Sequence, residues 1–172
     1  MGQKRLKWIK KEQKCSVLIE NPKKGRCENM LTGEFKHTLD TKGRVFVPAK
    51  FRADLGNSVI LVKGLGNFLL MFSEPEYEVF WDKISEYAET QDDMNDFMRE
   101  ISTCSVPTDV DAQGRISICE DHREAIGLEK DISFVGMRKY VEIWNGERIS
   151  TTKGTNLEKY RDISKKLHLG LC

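Results

Sequence analysis

The sequence contains two copies of one short motif, and Asp111 of the second copy follows Asp40 of the first by 71 residues. Residues 39–47 read Leu-Asp-Thr-Lys-Gly-Arg-Val-Phe-Val, and residues 110–118 read Val-Asp-Ala-Gln-Gly-Arg-Ile-Ser-Ile. The match extends, in order, over about forty positions, which indicates a duplicated structural unit rather than coincidence. The chain is therefore expected to contain two tandem copies of one module.

The repeated motif has the chemistry of a tight turn between two strands. An aspartate at the start of a turn accepts hydrogen bonds from N–H groups further on, and a glycine supplies the left-handed conformation that closes it. The flanking residues alternate between apolar and polar, which is typical of half-buried strands. Each copy is thus predicted to be a hairpin with an aspartate–arginine pair at its tip. These residues are Asp40, Gly43, Arg44, Asp111, Gly114 and Arg115.

Short helices and further strands are predicted after each motif. A helix ends at Gly56 in the first copy and at Gly127 in the second. The predicted strand pairs are 58–63 with 67–72 and 131–136 with 140–144. Amphipathic helices are expected from Glu74 onwards, over 92–103, and in a terminal stretch containing Leu157, Tyr160, Ile163 and Leu167. Their apolar stripes are more typical of packing surfaces than of a cofactor site.

These elements predict an α+β fold made of two β-rich modules with short helices. The chain divides into a basic N-terminal extension (1–29), a first module (30–79), a helical linker (80–104), a second module (105–148) and a C-terminal helical tail (149–172).

Composition and motif searches exclude several classes of protein. The sequence has no P-loop, no nucleotide-binding glycine motif after a strand, no nucleophile elbow and no zinc-protease motif, so no enzyme, small-molecule substrate or cofactor is predicted. Its five cysteines have no metal-binding spacing, so no metal is expected. Apolar runs are too short to span a bilayer and no signal peptide is evident, which predicts a cytoplasmic protein without a membrane partner.

Residues 30–150 resemble the MraZ family of bacterial regulators, which are built from two SpoVT/AbrB-type swapped-hairpin modules. The resemblance is carried by two Asp-x-x-x-Arg motifs in tandem, by the Gly-Arg-Val-Phe-Val-Pro run from Gly43, and by residues 123–128. It implies interlocked hairpins and a homo-oligomeric ring. It also implies binding to short direct repeats in the promoter of its own operon, within the division and cell-wall gene cluster, and action at the nucleoid. Cys119, where the family has proline, and a linker with few cations depart from the pattern.

The first 29 residues lie outside this resemblance and carry nine Lys or Arg and three Glu. Two readings stay open for them. They are either a basic arm that becomes ordered on DNA or sequence upstream of a native start at Met30. The second reading follows from the codons for Lys24-Gly25-Arg26, which can form a purine-rich ribosome-binding site three codons before that methionine.

Charge predicts which module faces DNA. Residues 34–56 sum to +2, whereas the matching residues 105–127 sum to −3. Because phosphate attraction requires local positive charge, we predict that the first hairpin enters the major groove as a two-stranded ribbon. Arg44 would contact a base or a phosphate, and the second module would build subunit contacts. The predicted phosphate contacts are Lys36, Lys42, Lys50 and Arg52. The alternative is a ring-forming scaffold that does not bind DNA.

Overall fold

The structure, a computed structural model, describes residues 30–88 and 94–152. The strands are β1 (Leu31–Thr38), β2 (Arg44–Phe46), β3 (Ser58–Lys63), β4 (Phe68–Ser73), β5 (Ser105–Asp109), β6 (Arg115–Ser117), β7 (Asp131–Arg138) and β8 (Val141–Asn145). The helices are α1 (Ala49–Leu55), α2 (Glu74–Ala88), α3 (Met94–Thr103), α4 (Glu120–Ile126) and α5 (Gly146–Thr152). The α+β class and the predicted strand pairs are confirmed. The N-terminal extension and the predicted terminal helix lie outside the described residues.

The two repeats are interlocked through a six-stranded antiparallel sheet with the order β1-β7-β8-β4-β3-β5. In this sheet the first strand of each repeat pairs with the third strand of the other. Thus β1 pairs with β7, where Phe35 lies opposite Phe134, and β5 pairs with β3. The order is unchanged when equivalent strands of the two repeats are exchanged, so the chain has an internal pseudo-two-fold axis.

The strands on either side of each motif do not pair with each other, which corrects the prediction of a self-contained hairpin. β2 instead forms a two-stranded antiparallel ladder with β6, in which Val45 lies opposite Ile116. The period-two pattern fixed which face of each strand is buried, but it carries no information about the partner strand. The exchange agrees with the interlocked hairpins that the resemblance implies. The proposed module boundaries separate sequence repeats within one shared sheet, and their positions remain a prediction.

The main core lies between one face of the sheet and the layer formed by β2, β6, α1 and α4. Phe51, Phe134 and Ile143 are fully buried there, and the Phe35 ring meets Phe51 edge-on at 5.0 Å between centroids. The helical linker covers part of the opposite face, where Phe72 is the centre of an aromatic cluster formed with α2 and α3. The apolar stripes of these helices therefore serve packing, as predicted. No helix within 30–88 or 94–152 has the length and apolar character needed to cross a membrane.

Candidate nucleic-acid interface

The first motif folds into a turn organised by the carboxylate of Asp40. Its Oδ1 accepts hydrogen bonds from the backbone N–H groups of Lys42 and Arg44, both at 2.9 Å. Its Oδ2 accepts from Arg44 Nε at 2.8 Å and lies 2.7 Å from the Nη2 atom of the same guanidinium. Gly43, with φ of 74°, closes the turn through its N–H bond to the Asp40 carbonyl. The predicted aspartate–arginine pair and the left-handed glycine are both present.

The second turn repeats this geometry. Asp111 Oδ1 accepts from the N–H groups of Gln113 and Arg115 at 2.9 Å, and Oδ2 accepts from Arg115 Nε at 2.8 Å. Gly114 takes a φ of 79°. Two segments that share few side chains besides the motif residues thus reach the same hydrogen-bond pattern, because the motif itself dictates it.

The carboxylates of both turns are held in the ionised form. The backbone N–H of Arg44, followed by its guanidinium, lowers the pKa of Asp40 to about 2. The side-chain bond from Arg115 is the first cause of the lowered pKa of Asp111. Each arginine uses Nε and Nη2 on its aspartate, so the donors on Nη1 are directed away from the pair. A guanidinium fixed in this way is suited to contact an anion or the edge of a base.

The two turns lie at opposite ends of the β2–β6 ladder. The ladder is extended by two further bonds, in which Val47 N–H donates to the Gly114 carbonyl at 2.9 Å and Ile118 N–H donates to the Gly43 carbonyl at 2.8 Å. Each turn is therefore braced by the other repeat. As a consequence, α1 begins beside the second turn and α4 begins beside the first.

This exchange carries an arginine from each short helix to the opposite turn. The guanidinium of Arg52 lies against Gly114, and its Nε donates to the Val47 carbonyl at 2.8 Å. The guanidinium of Arg123 lies against Gly43, and its Nε is buried without a hydrogen-bond partner. Sequence reasoning placed Arg52 at the first turn and gave Arg123 no role. The 71-residue alignment does relate these two arginines, but it does not show that their helices change ends.

The predicted DNA-contacting cations are divided between the two ends of the molecule. Lys42 and Arg44 belong to the first turn, and Lys36 is exposed on the half of β1 that leads into it. Lys50 lies far from the first turn. Its Nζ donates to the Thr32 carbonyl at 3.2 Å, and Thr32 lies six residues, or about 20 Å, before the end of β1 that leads into the turn. The structure therefore does not bring Lys50 and Arg52 to the first turn.

The net charges of residues 34–56 (+2) and 105–127 (−3) do not describe the surfaces around the first and second turns. The exposed carboxylates of Glu120 and Asp121 are on the first turn of α4, which begins at the end of the ladder that carries Arg44. The reason is again the strand exchange, which moves α4 to the first turn and α1 to the second. The two turns differ instead in their own residues and in the residues opposite them in the ladder.

The two motif arginines differ in their surroundings. Arg115 lies opposite Phe46 in the ladder and its guanidinium packs on that ring, 5.8 Å from the centroid. Arg44 lies opposite Ser117, which offers no ring, and its side chain is 34% exposed, compared with 20% for Arg115. The first turn also carries Lys42 where the second has Gln113. The first turn therefore has the more exposed arginine and the more positive charge of the two.

The part of the chain that the structure describes shows no metal-binding cluster. Within residues 30–88 and 94–152, no group of three His, Cys, Asp or Glu side chains could hold a metal ion. The thiols of Cys104 and Cys119 are free. The structure assigns Cys119, which replaces the proline of the family pattern, to the N-cap of α4.

The shared sheet, the β2–β6 ladder and the two aspartate–arginine turns define a tandem swapped-hairpin protein. A family model for MraZ protein, described as antitoxin-like, matches residues 30–100 and 105–151. The chain belongs to the MraZ family.

Curated relatives share most of the chain. This chain is 42% identical over 118 residues to the "Transcriptional regulator MraZ" of Caldanaerobacter subterraneus subsp. tengcongensis, and the aligned residues are 69% of this chain and 82% of the relative. It is 37% identical over 145 residues to the protein of that name from Pelotomaculum thermopropionicum, covering 83% of this chain and all of the relative. The protein of that name from Caldicellulosiruptor saccharolyticus is 41% identical over 141 residues, which are 80% of this chain and 99% of the relative. These relatives are named as regulators and not as enzymes, in agreement with the sequence analysis.

Proposed function

We propose that this chain is a DNA-binding transcriptional regulator that recognises short direct repeats in the promoter of its own operon, in the division and cell-wall gene cluster. The name shared by its relatives supports the regulatory role. The repeats, the ring-shaped homo-oligomer and the location at the nucleoid come from the family resemblance. The observation that carries the proposal to particular residues is the partly exposed guanidinium of Arg44, fixed by Asp40 beside Lys42.

The first turn is proposed as the part of the protein that enters DNA. Arg44 would use its Nη1 donors on a base edge or a phosphate, and Lys42 and Lys36 would contact phosphates. Because β1 and β2 diverge after the turn, it is the turn alone, and not a two-stranded ribbon, that would enter the groove. The acidic start of α4 has to remain outside the phosphate path.

Oligomerisation compensates for the small number of cations at each turn. A ring presents several identical turns, so contacts that are weak individually become strong when several are made on one DNA molecule. Binding should therefore be weak to a duplex with one repeat and much tighter to a duplex with several. Equal affinity for the two duplexes would contradict the proposal that a ring binds several repeats at once.

Paired arginine variants test the proposal because the two turns have the same local geometry. Arg44→Ala should abolish binding to the upstream DNA of its own gene, whereas Arg115→Ala should preserve the first turn and weaken folding or assembly. Fluorescence anisotropy over a salt series gives the affinities, and light scattering gives the oligomer mass. The logarithmic salt slope should fall by about one for each phosphate contact removed. Wild-type affinity in a correctly assembled Arg44→Ala protein would refute the assignment.

The acidic start of α4 favours one alternative, a ring-forming scaffold that does not bind DNA. Glu120 and Asp121 are exposed close to the proposed DNA-contacting turn, where they would repel phosphates. A scaffold would assemble normally but show no steep loss of DNA binding with salt. The wild-type titration above separates the two functions.

A further inference from the structure

The turn between β7 and β8 has an unusual backbone. Met137 N–H donates to the Tyr140 carbonyl at 2.8 Å, and Lys139 N–H donates to the Met137 carbonyl at 2.9 Å. Arg138, between these groups, has a φ of 72°. Among residues 30–88 and 94–152 it is the one non-glycine residue with a positive φ.

This conformation is unfavourable for arginine. A positive central φ combined with an i to i+2 hydrogen bond describes the strained form of the γ-turn. Glycine adopts a positive φ without the clash that a Cβ introduces, and it is the residue that such turns favour. The equivalent β3–β4 connection of the first repeat contains two glycines, Gly64 and Gly66. An exposed arginine in a strained turn indicates that its side chain is useful there, since it does not help the backbone.

Two other cations lie at the same end of the sheet. Arg138 is opposite Leu31 in the β1–β7 register, next to the Thr32–Met137 pair. The Thr32 carbonyl accepts a hydrogen bond from Lys50 Nζ. Lys139, at the turn itself, lies 3.6 Å from the carboxylate of Glu76. We call Lys50, Arg138 and Lys139 the β1-start cluster; they surround this end of the sheet, with Lys50 on the α1 side and Lys139 on the α2 side, and have a net charge of +2 when Glu76 is included.

The same end of β1 is where the basic N-terminal extension joins the described part of the chain. Residues 1–29 carry nine Lys or Arg and three Glu, and they precede Met30 and Leu31. The cations at this end of the sheet come from separate elements, α1 and the β7–β8 turn, and such a spread of positive charge fits an extended polyanion better than a small ligand.

We propose that the β1-start cluster is a second DNA contact, which holds backbone phosphates outside the segment read by the first turn. This proposal rests on the proposed function, because it assumes that the chain binds DNA. β1 has eight residues and separates the cluster from the first turn by about 25 Å. That spacing is shorter than one helical turn of DNA, about 34 Å, so a single duplex is long enough to span both sites. Arg138 contributes affinity here and no sequence discrimination.

Replacing Arg138 by glycine separates a DNA contact from a structural role. The full-length Arg138→Gly protein should melt at the wild-type temperature or higher, because glycine relieves the unfavourable φ. Its affinity for the upstream duplex should fall at every salt concentration. Its salt slope should decrease by about one for each bound subunit. Arg138→Lys should retain the slope, and Arg99→Ala, which removes an exposed cation on α3, should leave both slope and affinity unchanged.

Two results would overturn the proposal. One is a wild-type salt slope in Arg138→Gly, and the other is a lowered melting temperature with unchanged DNA affinity, which would assign Arg138 to the fold. These outcomes differ from failure of the proposed function, in which wild-type protein itself shows no salt-dependent binding to its upstream DNA. If Arg44→Ala abolishes binding while Arg138→Gly binds as wild type, the assignment of the first turn as a DNA contact is supported and the second contact is refuted.

Discussion

Removal of the Arg52 side chain should lower the stability of the protein without changing its contacts with DNA. Arg52 Nε donates to the Val47 carbonyl at 2.8 Å, and the guanidinium packs on Gly114 of the second turn. A hydrogen bond that involves a charged group contributes about 1.5–3 kcal/mol. Because Arg52 is only partly buried, we expect Arg52→Ala to cost about 1–2 kcal/mol of unfolding free energy, through loss of this hydrogen bond and of the packing against Gly114 of the other repeat.

The matched variant is Arg123→Ala at the other turn. Arg123 occupies the equivalent position against Gly43, but its buried Nε has no hydrogen-bond partner. Truncating it removes a buried, unsatisfied donor along with some packing, so it should cost less than Arg52→Ala, although the two sites are related by the pseudo-two-fold axis.

Thermal unfolding followed by circular dichroism measures the difference between the two variants. For a protein of this size, 1 kcal/mol corresponds to about 2–4 °C in Tm. Arg52→Ala should therefore melt about 2–8 °C below wild type, with all proteins compared at one concentration because assembly shifts Tm. The anisotropy salt slope of Arg52→Ala should equal that of wild type. An unchanged Tm together with a slope reduced by about one would refute the reasoning and return Arg52 to the phosphate contact that the sequence suggested.

Two further predictions concern titratable groups. NMR titration should give Asp40 a pKa of about 2, and Arg44→Ala should leave that pKa below 3.8, because the backbone N–H of residue 44, its largest cause, is retained; a full return to 3.8 would contradict the turn geometry. Burial, followed by repulsion from Arg52, lowers the pKa of His37, so the unfolded chain binds the proton more readily and stability should fall as pH drops below about 6.5. His37→Gln should show a shallower fall in denaturant midpoint between pH 7 and pH 5, and identical pH profiles would exclude a contribution from His37.

Local features of this fold could be predicted from sequence because local chemistry decides them. The aspartate, glycine and arginine of each motif produce the same turn in two different surroundings, and Gly56 and Gly127 end their helices as expected. The limits of β3, β4, β7 and β8 follow the apolar runs to within two residues. In each case the interacting groups are close together in the chain, so the sequence pattern contains the whole interaction.

The partner of each strand could not be predicted in this way. Alternation of apolar and polar residues shows which side of β2 is buried, but β6 and β1 offer equally suitable faces for pairing. The error in strand pairing then affected the site, because a charge count over residues 34–56 assumes that α1 stays beside the first turn. Arg123 was missed for the same reason. The strained turn between β7 and β8 could have been predicted. Its residues, Met137-Arg138-Lys139-Tyr140, include none of the types that favour a tight turn between strands, and that absence signals a strained connection.

The strand exchange also explains how the two turns can differ while the motif is kept in both. Each turn supplies a carbonyl to the ladder and supports an arginine from the other repeat, so neither turn can change its backbone without disturbing its counterpart. The side chains that project from the turns are free of this constraint. Lys42 and Gln113 differ in charge. The Phe46 ring packs against Arg115, whereas Ser117 offers no ring to Arg44, which is the more exposed of the two arginines. Conservation of the aspartate, glycine and arginine within one chain is therefore evidence for a shared fold, and in the function proposed above the neighbouring residues decide which turn contacts DNA.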